Sequence, residues 1–348
     1  MKLNVLHLIS GLGQGGAEQV LLDISIKFKK NRYIKSSVIS FSDEITLLPM
    51  FKKNDIDISV LYTKKSLLDF IKTIHKVSLY IQKNEINIIH AHMSHSIIIA
   101  AILKMRFPKI KVVFTSHSIN LESKLREAII FLLKPFRAID ILFSQNMYRW
   151  FNKYKYKTVP NGIIVENFEM ETEKFEKFTF IAVGNIKEAK NYPFLIDCCK
   201  ELSEKFDFQL LIVGAGDQTR LQEQVQKLKL AKYVQILGYK NNIAQLLSQS
   251  HCLVMPSLWE GMPIVMLEAG VTKLPIISTK VGSIPDILDD TCAYLSDLDN
   301  FLKNMAYIMK NYEESKIKAE KFNKKVKEKY TIDKTVKALE DLYKNLIK

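Results

Sequence analysis

Apolar runs of strand length alternate with longer stretches of helical periodicity along the first half of the chain. The runs are LNVLHLI (3–9), SSVISF (36–41), NIIHAH (87–92), KVVFTSH (111–117) and AIDILFS (138–144). Continuous apolar runs are typical of strands that are buried on both faces. Their alternation with helices predicts a parallel sheet with crossover helices, which is an α/β layered domain.

The same pattern restarts in the second half, which predicts a second domain of the same kind. Its apolar runs are FTFIAVG (178–184), QLLIVGAG (209–216), VQILG (234–238), CLVMP (252–256) and LPIISTK (274–280). A chain of 348 residues is long enough for two cores. We therefore expect an α/β protein with two Rossmann-like, doubly wound parallel-sheet domains.

The connector between these domains is predicted at TVPNG, residues 158–162. Pro160 lacks a backbone N–H, and Asn161 followed by Gly162 favours a turn. We expect the first domain over residues 1–165 and the second over residues 166–330. Residues 331–348 have helical spacing, and we expect this final helix to pack back on the first domain.

Bulk composition indicates a globular protein, with 47% hydrophobic and 25% charged residues. No apolar run approaches the roughly 18 residues of a membrane-spanning helix. The start MKLNVLHLIS has no cleavable signal pattern, which predicts a cytoplasmic location. The four cysteines show no C-x-x-C spacing and are expected to be reduced thiols.

The net charge of +14 lies entirely in the first half of the chain. Residues 1–165 contain 25 basic and 11 acidic side chains, whereas residues 166–348 contain 26 of each. Residues 104–157 alone carry 12 basic and three acidic side chains, interleaved with aromatic residues. This asymmetry predicts an anionic partner for the first domain only.

The sequence GLGQGG at residues 11–16 satisfies G-x-G-x-x-G, the pattern of a dinucleotide-binding turn. An NAD site also needs an acid at the end of the second strand, about 20 residues further on. The nearest such acid is Asp43, 27 residues beyond Gly16 and past the strand end, so NAD binding is disfavoured. Gly15 and Gly16 still allow backbone N–H groups to approach a phosphate at a helix N-terminus, although a ligand-free tight turn is the alternative.

Two glutamates flank a predicted helix start in MPSLWEGMPIVMLEAG, residues 255–270. Pro263 suits the first position of a helix that runs to about Ala269. Glu260 then precedes the helix and Glu268 lies two turns inside it, so both can border one ligand site at a strand C-terminal end. The alternative is that Glu260 caps the helix and Glu268 is a solvated surface acid.

The pattern P-S-x-x-E-G-M-P-x-V-x-L-E-A resembles the signature of glycosyltransferase family 4. Further motifs of that family follow the same order along nearly the whole chain: GGAE (15–18), IIHAH (88–92), FTSH (114–117), VPNG (159–162), VGN to Lys190 (183–190), IVGAGD (212–217) and VGSIPDIL (281–288). The resemblance implies the GT-B fold, with two Rossmann-like domains facing across a cleft. It also implies a retaining, metal-independent glycosyltransferase that needs no cofactor, because the nucleotide sugar is a substrate.

The resemblance assigns roles to individual residues of this chain. It implies that the first domain binds the acceptor and the second binds the nucleotide-sugar donor, for which UDP is favoured over GDP. The residues expected to act in catalysis are Glu260, His117 and Lys190. The residues expected to bind the donor are Gly15, Gly16, Asn185, Lys190, Gly214, Gly261, Met262, Pro263, Ile264 and Glu268. The residues expected to line the acceptor side of the cleft are His92, Glu18 and Asn161.

Departing diphosphate needs cations and backbone donors, because negative charge builds up on it during transfer. Lys190 resembles the diphosphate-binding lysine of the family, and Glu268 resembles the ribose-binding glutamate. The family usually has an arginine where this chain has Asn185, and many members have glycine at Pro263. Pro263 leaves the identity of the donor sugar open. Asn185 places more of the diphosphate stabilisation on Lys190, the N-terminus of the helix at 263–269 and the Gly15-Gly16 loop.

The histidines at 90, 92 and 95 raise the question of a metal site. In a strand that continues into a helix they are expected to alternate faces, and no acidic or cysteine ligand is nearby. We therefore expect no metal, with His92 lining the cleft. A lone histidine at a strand end, such as His117, is more often simply hydrogen-bonded, and only the accompanying motifs favour an active-site role.

The basic first half of the chain contains a segment that could bind a membrane surface. In LESKLREAIIFLLKPFR (121–137), the basic residues beside AIIFLL predict an amphipathic surface on the anionic inner face of the membrane, where a lipid-linked saccharide acceptor would lie. The residues expected to face the membrane are Lys124, Arg126, Lys134 and Arg137. The alternative is a buried helix with a solvated lysine face.

The E-G-M-P form of the family motif is familiar from glycosyltransferases of surface-polysaccharide assembly, and the resemblance therefore implies that process. A GT-B epimerase or phosphorylase is the first alternative. The basic aromatic run RWFNKYKYK (149–157) permits nucleic-acid binding, but no nucleic-acid-binding module accompanies it, so no nucleic-acid partner is expected.

Overall fold

A computed structural model describes residues 3–61, 66–152 and 155–348 of the chain. Two compact units divide it: Met1–Gly162 with Ile332–Lys348, and Ile163–Thr331. Lys153 and Tyr154 of the basic aromatic run lie outside the described residues.

The described part of the first domain contains a seven-stranded parallel sheet in the order β3-β2-β1-β4-β5-β6-β7. The strands are β1 Leu3–Ile9, β2 Ile34–Ser40, β3 Ile58–Val60, β4 Ile88–His92, β5 Lys111–Thr115, β6 Ile139–Leu142 and β7 Tyr156–Thr158. The connecting helices are α1 Gly16–Lys29, α2 Leu48–Lys53, α3 Leu67–Lys83, α4 Met93–Arg106 and α5 Lys124–Leu132. The central strands are apolar throughout because helices cover both faces of the sheet.

The second domain repeats this architecture with a six-stranded parallel sheet in the order β10-β9-β8-β11-β12-β13. The strands are β8 Thr179–Val183, β9 Gln209–Val213, β10 Val234–Gly238, β11 Cys252–Met255, β12 Ile276–Thr279 and β13 Tyr294–Ser296. The helices are α6 Tyr192–Leu202, α7 Thr219–Lys227, α8 Ile243–Gln249, α9 Ile264–Val271, α10 Ile284–Ile287, α11 Leu298–Lys310 and α12 Tyr312–Lys329. All four cysteines are buried free thiols. The predicted α/β class with two Rossmann-like parallel sheets is confirmed.

The last helix, α13 (Ile332–Ile347), belongs to the first domain although the chain reaches it only after the second. It packs against α1, where the rings of Tyr343 and Phe28 lie 6.1 Å apart and both are fully buried. Within the ranges that the structure describes, no helix is both long and apolar enough to cross a membrane.

Candidate active site

The first domain brings three histidines together at the carboxyl ends of its central strands. His7 on β1 and His90 on β4 are register partners, so their side chains project from the same face of the sheet. His92 ends β4, and His117 follows β5 by two residues. His7 Nδ1 lies 3.0 Å from His92 Nε2, and His92 Nδ1 lies 3.1 Å from His117 Nε2. Three imidazoles thus form one hydrogen-bonded line, which we call the histidine line.

Burial keeps the histidine line uncharged at neutral pH. The side chains of His7 and His92 are almost completely inaccessible, at 0% and 2% exposure, and His117 is half-buried. Loss of hydration lowers the pKa of His7 to about 3 and that of His117 to about 4, and it places the pKa of His92 well below its usual range. The line can therefore donate and accept hydrogen bonds without carrying charge.

His90 lies beside this line but is bonded elsewhere. Its Nδ1 is 2.6 Å from the hydroxyl of Tyr343 on α13, and its Nε2 is 2.7 Å from the hydroxyl of Thr115. Its ring stacks on His92 at a centroid distance of 4.2 Å. The expectation that His90 and His92 alternate faces was wrong, because strand residues two apart point to the same side.

A metal site can be tested against this geometry. One ligand atom from each of His7, His90 and His92 lies within 4.8 Å of the others, and three imidazoles form a known zinc ligand set. Both nitrogens of His90 are hydrogen-bonded to hydroxyl groups, however, and both nitrogens of His92 are hydrogen-bonded within the histidine line. Among the ring nitrogens of these three residues, only Nε2 of His7 has no hydrogen-bond partner among the described residues. The arrangement fits a hydrogen-bonded cluster better than a metal centre.

The glycine-rich loop GLGQGG leads from β1 into α1 with Gly15 at the N-cap and Gly16 as the first helical residue. The carboxylate of Glu18, which is buried, lies against Gly15 where a side chain on that glycine would stand. The carboxylate of Glu44 lies beside Gly13 in the same way. Two acidic side chains therefore border a loop that sequence analysis associates with phosphate.

The second domain places Lys190 and Glu260 in contact, although 70 residues separate them. Lys190 Nζ lies 2.6 Å from Glu260 Oε1, and the Ser257 hydroxyl donates to the same oxygen at 2.7 Å. Thr279 on β12 in turn donates to the carbonyl oxygen of Ser257 at 2.6 Å. The two side chains are 20% and 11% exposed, so the pair is accessible to a ligand.

Glycine is required where Lys190 crosses the end of β8. Gly184 has φ +149°, which side chains disfavour, and a Cβ there would strike the Lys190 stem. A Cβ on Gly214 would overlap the carbonyl oxygen of Gly184. Gly214 therefore keeps the ends of β8 and β9 close together, and Asn185 follows in a half-buried loop position.

Backbone strain marks the residue after a site residue in both domains. Met93, directly after His92, has φ +67°, and Asn191, directly after Lys190, has φ +52°. Each such conformation costs on the order of 1 kcal/mol or more in a residue other than glycine, and it persists only where surrounding packing fixes it. The structure thus holds His92 and Lys190 at abrupt strand-to-helix and loop-to-helix transitions.

Helix α9 begins one residue later than the sequence predicts. Pro263 has an extended conformation and caps the helix, so Glu268 lies just over one turn inside and not two. The segment from Gly261 to Ile264 is buried, whereas Glu260 and Glu268 are half-buried. Pro263 marks the boundary because its ring fixes φ near the helical value while ψ remains extended.

The predicted membrane-facing residues divide into three exposed or partly exposed cations and one buried cation. Lys124 is exposed and pairs with Glu127, Arg126 donates to the Leu121 carbonyl at 2.9 Å, and Lys134 donates to the Trp150 carbonyl at 3.1 Å. The prediction for Arg137 was wrong. Its side chain is completely buried 3.1 Å from Asp140, because the turn after α5 directs it into the domain.

Sequence reasoning missed part of the apolar surface around α5. Leu125 is 72% exposed and Leu132 is 69% exposed, and the rings of Phe131 and Trp150 pack together 5.4 Å apart and are also exposed. We call these four residues the α5 patch. Helical periodicity contained the clue, since Ile130 faces the core while Leu125 and Leu132 lie on the other side.

Asn161 of the predicted acceptor side is buried at the end of the first domain's main segment. Its neighbour Pro160 accepts a hydrogen bond from Thr335 on α13 at 2.9 Å. This contact anchors α13 beside the turn that sequence analysis assigned as a connector.

Two Rossmann-like parallel-sheet domains are the architecture of the GT-B glycosyltransferases. Residues 14–167 match the family model "Glycosyltransferase Family 4", and residues 165–329 match "Glycosyl transferases group 1". The chain belongs to glycosyltransferase family 4, as the sequence motifs predict.

Named relatives and solved structures agree with this assignment. UDP-Gal:alpha-D-GlcNAc-diphosphoundecaprenol alpha-1,3-galactosyltransferase from Escherichia coli is 26% identical, over 90% of this chain and 86% of the relative. The capsular polysaccharide biosynthesis glycosyltransferase CapH from Staphylococcus aureus is 26% identical, over 80% and 82%. The crystal structure of HepE from Anabaena, in complex with UDP and glucose, has a TM-score of 0.88 at 17% identity and covers 99% of this chain and 100% of that one.

Proposed function

We propose that this protein is a retaining glycosyltransferase that transfers a sugar from a UDP-sugar to a lipid-linked or saccharide acceptor in bacterial surface-polysaccharide assembly. The observation that carries the proposal is the contact between Lys190 and Glu260 at the strand ends of the second domain. A cation that is already held beside a carboxylate can exchange that carboxylate for a diphosphate. The named activities of the Escherichia coli and Staphylococcus aureus relatives, together with the UDP bound to HepE, support the substrate class.

In this proposal the second domain binds the donor. Lys190 binds the diphosphate, Glu268 accepts hydrogen bonds from the ribose hydroxyls, and Glu260 contacts the sugar. The backbone at the start of α9 and around Asn185 and Gly214 surrounds the nucleotide. The first domain binds the acceptor through Glu18, His92 and Asn161, and its Gly15 and Gly16 support the diphosphate.

The reaction breaks the bond between the anomeric carbon and the phosphate oxygen and forms a bond from that carbon to the acceptor oxygen. The acceptor's proton passes to the departing phosphate oxygen on the same face of the sugar, which retains the anomeric configuration. Lys190 stabilises the charge that develops on the diphosphate, and it does so without a metal ion. The neutral His117 serves as a hydrogen-bond partner of the donor sugar or the diphosphate.

A panel of nucleotide sugars tests the donor. A ligand at 100 times its dissociation constant stabilises the folded protein by roughly 2.7 kcal/mol, which a thermal-shift assay detects. We expect a UDP-sugar to raise the melting temperature of the wild type and to have a smaller effect on Lys190→Ala. Equal stabilisation of both proteins would contradict diphosphate binding by Lys190.

Product analysis with the stabilising donor separates glycosyl transfer from the alternatives. We expect an α-linked product from an α-configured donor, with UDP released. Release of an epimerised sugar would indicate an epimerase, and formation of a sugar 1-phosphate from a glycoside and phosphate would indicate a phosphorylase. Unchanged activity after treatment with EDTA is expected, and a loss that Mg²⁺ restores would contradict metal independence.

The proposed location is the inner face of the cell membrane, with the α5 patch in contact with lipid. Exposed apolar side chains beside Lys124 and Lys134 combine the two attractions that hold a peripheral protein on an anionic bilayer. We expect cosedimentation with vesicles that contain phosphatidylglycerol and much less with phosphatidylcholine alone. Leu125→Ser with Leu132→Ser should weaken the association, whereas Leu79→Ser, an exposed leucine on α3, should not.

A further inference from the structure

The histidine line imposes a rule on its own protons. A neutral imidazole has one N–H and one lone pair, so His92 must donate to one neighbour and accept from the other. Both hydrogen bonds in the line therefore run in the same direction. One direction places the proton of His117 on Nδ1 and the opposite direction places it on Nε2.

The buried end of the line distinguishes these directions. His7 Nε2 is inaccessible and has no hydrogen-bond partner among the described residues. If the bonds ran from His117 towards His7, this nitrogen would carry a buried N–H without an acceptor. Orphaned N–H groups are the rarest unsatisfied groups in protein interiors, whereas a lone pair without a donor is tolerated more often. The favoured direction therefore runs from His7 Nδ1 to His92 Nε2, and from His92 Nδ1 to His117 Nε2.

We propose that His7 and His92 are positioning residues that hold His117 in the tautomer with its proton on Nδ1. This nitrogen of His117 is then a fixed hydrogen-bond donor towards the substrate, and His117 Nε2 is held by the line. His90 supports the arrangement by stacking on His92, while its own nitrogens remain bonded to Tyr343 and Thr115. The catalytic part of this inference rests on the proposed glycosyl transfer, whereas the tautomer does not.

Nitrogen-15 NMR of the whole, substrate-free protein at neutral pH measures the tautomer directly. The chain has seven histidines, so the ring signals can be assigned by single substitutions. We expect His117 to be neutral with a protonated Nδ1 and an unprotonated Nε2. A protonated Nε2, or a charged ring, would overturn the proposal without any reference to enzymatic activity.

Two substitutions of His7 test whether the line causes this tautomer. His7→Phe removes the donor and keeps a ring against Phe28, so His117 should redistribute its proton between the two nitrogens. His7→Asn restores an N–H near the position of Nδ1 and should restore the wild-type tautomer. A pure Nδ1-protonated His117 in His7→Phe would overturn the role of the line.

Tyr343→Phe is the matched control because it removes a hydroxyl from the same cluster but not from the histidine line. We expect the tautomer of His117 to be unchanged in this variant. If it shifts as much as in His7→Phe, the cluster acts through general packing and the proposal is wrong. Should His7→Phe fail to fold, the wild-type spectrum and His7→Asn still decide the matter.

Kinetics then connect the tautomer to transfer. His7→Phe should lower kcat by about tenfold, with KM for the donor little changed and with recovery in His7→Asn. Equal kcat values in all three proteins would refute a positioning role for His7. If the wild type transfers no sugar at all, the proposed function fails, while the NMR result stands independently.

Discussion

The two domains share one architecture but equip their strand ends with opposite electrostatics. In the first domain, neutral and largely buried histidines are hydrogen-bonded to one another. In the second domain, Lys190 and Glu260 form a charged, partly exposed pair. A neutral hydrogen-bonded line can receive a hydroxyl group without rearrangement, whereas the ion pair must open before its cation can bind a diphosphate. In the proposed function, the site in the first domain is therefore pre-organised, whereas Lys190 in the second domain exchanges Glu260 for the diphosphate.

The distribution of charge strengthens this contrast. The excess of basic residues lies in the first half of the chain, yet the cluster at the strand ends of that domain is uncharged. Its basic residues lie instead at the surface, as Lys124 does, or in internal pairs, as Arg137 does. The net charge of this domain therefore does not describe the electrostatics at its strand ends.

Lys190→Ala should have the largest effect of these substitutions, because it removes the cation from the charged site of the second domain. We expect kcat to fall by about 100- to 1,000-fold, as when one stabilising donor is lost from an anionic transition state. Lys187→Ala removes an exposed lysine from the same loop and serves as the control. Steady-state transfer assays would contradict the role of Lys190 if the two variants kept similar activity.

The glycine-rich loops provide the second test. Gly214→Ala should lower the free energy of unfolding by about 1–3 kcal/mol, because the added methyl group meets the backbone of Gly184. Gly13→Ala meets only the end of the flexible Glu44 side chain, and the change should stay within about 0.5 kcal/mol. Urea unfolding measures both changes in stability. A larger loss of stability in Gly13→Ala than in Gly214→Ala would contradict the prediction.

Acidic pH should weaken the neutral cluster. Below pH 6.5 the histidines of the unfolded chain bind protons, whereas His7 in the folded protein stays neutral until its pKa of about 3. The unfolded state then holds more protons, so His7 lowers the free energy of unfolding by about 1.4 kcal/mol per pH unit as pH falls within this window. We therefore expect the free energy of unfolding, measured with urea, to fall between pH 7 and pH 5 by about 2 kcal/mol less in His7→Phe than in the wild type. His75→Asn, at an exposed histidine, should keep the wild-type pH dependence, and loss of that dependence would contradict the assignment.

The smallest effect is expected from Glu260→Gln, which removes the negative charge that pairs with Lys190. UDP should bind about fivefold more tightly, because the amide competes less for the cation, while turnover decreases. Glu188→Gln, at an exposed glutamate of the same loop, should change neither value. Calorimetry with UDP would reject the exchange of partners if Glu260→Gln bound it more weakly than the wild type.

The sequence predicts the buried strands well because burial on both faces leaves uninterrupted apolar runs. It misses β7 and β13, one edge strand of each sheet, which have three residues each and little apolar pattern. Edge strands are shaped by a single neighbour, so their sequences are less constrained.

The candidate site shows a similar division. Lys190, Glu260 and His117 are found from motifs, whereas His7 is hidden inside an apolar strand and becomes visible only when the register pairs it with His90. Arg137 illustrates the opposite error, because its position near an amphipathic helix predicts a surface residue, whereas its side chain is buried beside Asp140. Contacts between strands and turns depend on tertiary structure, which local patterns do not contain.

The position of α13 at the end of the chain affects how the protein folds during its synthesis. A ribosome makes residues 1–162 first, but the helix that covers His90 and Phe28 is made only after the entire second domain. Domains generally fold as units while the chain emerges. During synthesis, one side of the core of the first domain therefore stays uncovered until the second domain has been made and α13 follows it. The first domain is thus the first to be synthesised but the last to complete its fold.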